Sequence, residues 1–192
     1  KFMERYSLTA FLILTPLLSL AIPAFLSFPS EVVPLLLIFI PASLAIFFTA
    51  MSEGYKGVGV LLKKLTQWRI GFHWYLIAFG LALGSRLAIS VLAILFGWTT
   101  TFKLYNWTPL QYVIIAIFTI IGALMEELGW RGYVLPKILT RQSALSSALI
   151  IGIPWGILHL GLTFPGQMNA GTSWMSTILF ILGISVILTW LF

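Results

Sequence analysis

The chain contains no cysteine and no aspartate, and only 8% of its 192 residues are charged. The missing cysteines exclude disulfides and thiolate metal sites while leaving the redox compartment open. The missing aspartates reduce the acidic side chains to five glutamates, of which Glu126 and Glu127 are adjacent. With so little charge and 60% hydrophobic residues, the composition lies far outside that of a water-soluble domain. The alternating ten-residue strands of a membrane barrel are also missing. What is present is a series of apolar stretches that reach the roughly 20 residues a helix needs to cross about 30 Å of hydrocarbon. The expected fold is all-α, a polytopic membrane helix bundle forming one domain over residues 1–192.

Six spans are expected: Leu8–Ser27, Val32–Met51, Trp74–Trp98, Gln111–Pro136, Ser143–Leu162, and Trp174 to Phe192. Pro16, Pro23 and Pro154 fall inside spans and predict kinks. Lys1 and Arg5 precede the first span, Lys56, Lys63, Lys64 and Arg69 lie between the second and third, and Lys137 and Arg141 follow the fourth. Six spans put all of these on one face, so the N-terminus is expected on the cytoplasmic side, with Lys103 alone among basic loop residues opposite. The net charge of +6 therefore marks membrane orientation, and no nucleic-acid partner is expected. Within Glu53–Phe72, apolar residues interleave with basic ones. That pattern fits an amphipathic helix in the membrane interface, and equally a connecting loop with lysines reaching to water.

Inside the fourth span stands Met125-Glu126-Glu127-Leu128-Gly129-Trp130-Arg131. A charge at membrane depth costs about 2.5–3.5 kcal/mol on insertion scales, so such residues turn inward, pair, and mark a site. Glu127 and Arg131 are four apart and share a helical face, which suits an ion pair. Glu126 is turned about 100° away, desolvated beside a like charge, and is the carboxylate suited to taking a proton. The fifth span carries Trp155 and His159, again four apart, with Gly152, Gly156 and Gly161 allowing a neighbour to approach closely. If that neighbour is the fourth span, His159 faces Glu126, and the two can hold and deprotonate a water that attacks a carbonyl carbon.

Structural readings stand beside these. The glutamates can act as polar glue between helices, and a lone histidine can be a hydrogen-bonded packing residue. Arg86 fits either a counter-charge to Glu126 or a wet cavity. His73, near Trp68 and Trp74, fits an interfacial anchor, Gly80 and Gly84 form a GxxxG spacing that chance supplies often, and Asn106-Trp107-Thr108 is a formal glycosylation sequon.

Glu126-Glu127-x-x-x-Arg131, followed about 30 residues on by an aromatic-x-x-x-His, resembles the CPBP family of CAAX prenyl endopeptidases, bacteriocin-processing and abortive-infection proteins. The flanks Gly129-Trp130-Arg131-Gly132-Tyr133-Val134-Leu135-Pro136 and Gly156-Ile157-Leu158-His159-Leu160 are similar as well, so the likeness covers Ile120–Gly161. It implies an intramembrane endopeptidase acting on a prenylated or otherwise hydrophobic, membrane-associated peptide in a bacterial inner membrane. Glu126 and His159 would activate water, Glu127 and Arg131 would support the site, and Trp155 would stand as an aromatic wall where phenylalanine is common. The resemblance implies a glutamate-type mechanism with no cofactor, and one histidine with one free carboxylate makes a poor zinc shell. It also implies a later helix bearing a His and an Asn that polarise the scissile carbonyl. No His or Asn follows Asn169, so the chain is expected to be C-terminally incomplete. The alternatives are a non-catalytic scaffold or immunity protein of the same fold and a small proton-coupled transporter, for which no inverted repeat is evident.

Overall fold

The structure is a computed structural model that describes residues 2–26, 28–30, 32–96 and 108–192. Lys103, Asn106 and the side chain of Arg86 fall outside the described residues, and with them the counter-charge and sequon readings. Helices account for nearly all regular structure, and no strand occurs among the described residues. In chain order they are α1 (Phe2–Phe25), α2 (Val32–Lys63), α3 (Phe72–Leu95), α4 (Pro109–Glu127), a π-helical segment (Leu128–Val134), α5 (Leu135–Leu139), α6 (Ala144–Leu160) and α7 (Trp174–Leu191). Among the described residues, five stretches are long and apolar enough to cross a membrane: Tyr6–Phe25, Val32–Thr66, Pro109–Leu139, Ala144–Thr163 and Trp174–Leu191. The remaining expected span coincides with α3, a helix of 24 residues. This is an integral membrane protein with an all-α fold.

Contacts group the chain into two units, residues 1–66 with 117–192, and residues 67–116. In the smaller unit, aromatic residues gather at the start of α3: Tyr75 donates its hydroxyl to the Trp68 carbonyl, His73 and Trp74 lie 5.3 Å apart, and Arg69 sits 5.6 Å from the Trp68 ring. That clustering suits the anchoring role expected of His73. A Cβ at Gly80 or Gly84 would meet nothing within 4 Å among the described residues, so their GxxxG spacing holds no packed neighbour there.

In the larger unit α6 packs on α1 and α7, and α2 on α1 and the π segment. The helices run through Pro16, Pro23, Pro41 and Pro154. Hydroxyls help satisfy the backbone near the first of them, with Thr15 bonding the Phe11 carbonyl and Ser19 that of Pro16. A break in helix geometry falls instead at Gly54, whose φ of 67° and ψ of −169° are open to glycine at little cost. Beyond it the chain continues as helix to Lys63, with Gly57 and Leu61 buried and Val60 exposed. Of the two readings of Glu53–Phe72, the amphipathic helix is the one this first half adopts.

The glycine face of α6 meets a different neighbour from the one anticipated. A Cβ on Gly152 would lie 2.8 Å from Leu182, and one on Gly156 3.2 Å from Ile178, both in α7. One on Gly161 would lie 2.5 Å from the Ser19 carbonyl of α1, an oxygen that Pro23 leaves without its helical N–H donor. Ser185 of α7 donates to the Ala148 carbonyl at 2.8 Å, completing this tight contact. Trp155 and His159 lie about 100° and about 60° round the helix from Gly156 and so remain free to face the motif.

Candidate active site

Glu126 and Glu127 are the last two residues of α4, and the backbone then widens into the π segment. Single π turns interrupt α-helices rarely and often at functional sites, because the extra residue per turn redirects the side chains that follow. Here Leu128, Gly129, Trp130, Arg131, Tyr133 and Val134 are all buried. Two contacts hold the turn against α2. A Cβ on Gly129 would come within 2.5 Å of Pro41 Cβ and 2.8 Å of its carbonyl oxygen, so only glycine admits this approach. Lys64, carried past the Gly54 break, donates to the Gly132 carbonyl at 2.7 Å.

The expected ion pair is present: Arg131 Nη1 lies 3.0 Å from Glu127 Oε1. The guanidinium also lies over the Trp155 ring, 4.4 Å from its centroid, where the ring's negative face attracts a cation. Its Nε and Nη2 are buried without a hydrogen-bond partner among the described residues. From the other edge of the same ring, Trp155 Nε1 donates to Glu126 Oε2 at 2.5 Å. His159 stands one turn further along α6, its ring 6.1 Å from that of Trp155 and steeply inclined to it. Its Nδ1 lies 3.0 Å from the Trp155 carbonyl oxygen. A carbonyl oxygen only accepts, so Nδ1 is the donor in this bond and Nε2 is the ring nitrogen left outside it.

Glu126, Arg131 and His159 are thus brought together on one tryptophan, which is itself only 6% exposed. Glu126 and His159 make no hydrogen bond or ion pair with each other among the described residues; each engages Trp155 instead. Behind this ring stands a wall the sequence reading missed: Trp130 lies 6.3 Å from Trp155, Phe11 lies 5.3 Å from Trp130, and Tyr133 lies 5.5 Å from Phe11. Nothing in the spacing of α1 singles out Phe11. Among the described residues no three His, Asp or Glu side chains gather as ligands for an ion, so the donors present do not fit a three-ligand zinc centre.

Glu126, Glu127 and Arg131 thus stand at the α-to-π junction of one span, beside Trp155 of α6. Comparison with known proteins finds likenesses that take in this region. Residues 106–192 match the family model described as Type II CAAX prenyl endopeptidase Rce1-like. A curated relative, CAAX prenyl protease 2 of Methanococcus maripaludis, is 29% identical over 88 residues, covering 42% of this chain and 32% of that protein. The chain spans about a third of the length of this relative. Over residues 106–192 the chain is therefore similar to this family.

Proposed function

We propose that this protein is an intramembrane endopeptidase that hydrolyses a peptide bond in a prenylated or other membrane-associated peptide, with Glu126 and His159 activating water. Support for the general activity comes from the family and from the name of the relative. The observation that carries the mechanism is the gathering of Glu126, Arg131 and His159 on Trp155. The indole N–H occupies Glu126 Oε2 and leaves the other carboxylate oxygen to accept a proton. His159, fixed through Nδ1, presents Nε2 to one hydrogen of a water while Glu126 takes the other. The water oxygen then bonds the scissile carbonyl carbon, and the carbonyl electrons move to oxygen. On collapse the C=O bond reforms, the C–N bond breaks, and the amine leaves with the proton held by Glu126. Arg131, anchored by Glu127, keeps the Trp155 ring in place and acts through it.

Apolar helices around the site suit a substrate that enters from the lipid, and the basic segments support a cytoplasmic N-terminus. The test is incubation of the intact protein, in detergent or nanodiscs, with a farnesylated peptide, the products being read by mass spectrometry. The wild type is expected to release a C-terminal fragment, and His159→Ala to release none while remaining folded. Cleavage by His159→Ala at the wild-type rate would overturn the role given to the imidazole.

A further inference from the structure

A cavity of about 830 Å³ opens among the first turns of α1, the end of α2 near Gly54, and the turn from α5 into α6. None of its lining residues belongs to the Glu126 cluster. One wall is apolar, made by Leu8 and Leu12, one turn apart on α1, with Ile150 of α6. The rim carries Glu53, Lys137 and Arg141. Glu53 lies 3.8 Å from Lys137, whose ammonium also sits 3.7 Å from the Tyr133 ring centroid. Arg141 is different: its exposed guanidinium makes no ion pair or hydrogen bond among the described residues. Among the described residues, two cations against one carboxylate leave the rim net positive, with its free charge on Arg141. A guanidinium presents a planar set of N–H donors that matches phosphate oxygens two at a time.

The cavity therefore combines a free cation with an apolar wall that continues into a membrane-spanning helix, since Leu8 and Leu12 open the Tyr6–Phe25 span. Its volume is in the usual range for small-molecule sites, roughly 300–1,000 Å³. An occupant with an anionic head and an acyl tail meets both features, whereas a zwitterionic head would bring a third cation to a rim where the described residues already supply two. We propose that this cavity binds one anionic phospholipid, its phosphate on Arg141 and an acyl chain along Leu8, Leu12 and Ile150.

The test is native mass spectrometry of the intact protein titrated with phosphatidylglycerol and with phosphatidylcholine of equal acyl length. The wild type is expected to retain phosphatidylglycerol about fivefold better, the discrimination one interfacial cation supplies. Arg141→Gln is expected to bring the two lipids level. Ile150→Trp, which narrows the cavity, is expected to reduce phosphatidylglycerol retention, while Ile153→Trp on a more exposed face of α6 leaves it unchanged; this pair decides the matter even if Arg141→Gln does not fold. Equal retention of both lipids by the wild type, or retention by Arg141→Gln or Ile150→Trp equal to that of the wild type, would overturn the proposal. Displacement of the lipid by inorganic phosphate would also overturn it, in favour of a small-anion site. Glu126→Gln is expected to bind the lipid as the wild type does, which separates this site from the peptidase reading.

Discussion

Two consecutive stretches of one apolar span behave as different materials. From Ile117 to Leu124 the side chains are exposed, with Gly122 the buried exception, and Ile117, Phe118 and Ile120 keep about half their surface free (51%, 49% and 60%). From Leu128 to Val134 every residue except Gly132 is buried, and Trp130 and Val134 have no exposed surface at all. Hydropathy already sets the two apart, since the second stretch carries Arg131, Trp130, Tyr133 and two glycines, but it does not say which of the residues face the bundle. What decides that is the change from α to π geometry just after Glu127, which turns the second stretch into the bundle and carries Arg131 to Trp155. The first stretch needs only to be apolar; the second needs particular shapes and charges.

Substitutions can break that contrast in order of size. Glu127→Ala should give the largest loss of stability, about 2–3 kcal/mol. It leaves Arg131 buried without its carboxylate, and the loss falls short of that for a fully buried pair because Glu127 keeps 35% side-chain exposure. Next is Gly129→Ala, expected to cost about 1–3 kcal/mol because the new methyl meets Pro41 backbone that cannot move aside. Denaturation in mixed micelles would measure both, and a wild-type midpoint for Gly129→Ala would show that the π turn is not pinned to α2. Trp155→Phe keeps a ring beneath Arg131 while removing the N–H that holds Glu126. A stability loss of about 1 kcal/mol is expected, together with a fall in peptidase rate that exceeds any change in KM. Smallest of all, Ile117→Val should stay within about 0.5 kcal/mol of the wild type. If it instead matched Gly129→Ala, the contrast between the two stretches would be lost.

Much of this was legible in the sequence because it depends on composition and on the period of a helix. Apolar length located the helices, the four-residue spacing of Glu127 and Arg131 implied their ion pair, and the same spacing put Trp155 on the face of His159. The π segment was not legible, since nothing in the residues 128–134 distinguishes a π turn from an α turn, and the close approach of Pro41 to Gly129 comes from another helix. For the same reason the glycines of α6 signalled close approach without naming α7 as the partner. The break at Gly54 also escaped, because proline marks kinks more visibly than glycine, and the prolines here are absorbed within continuous helices. Lys64 looked like one basic loop residue among several, and only that break brings it to the Gly132 carbonyl.

The most direct measurement sets the neighbouring glutamates against each other, with kcat/KM on a prenylated peptide and the thermal midpoint recorded for Glu126→Gln and Glu127→Gln in the intact protein. The account predicts that Glu126→Gln loses about 10²–10⁴ in kcat/KM with little change in midpoint, while Glu127→Gln lowers the midpoint first. Wild-type turnover by Glu126→Gln would contradict it.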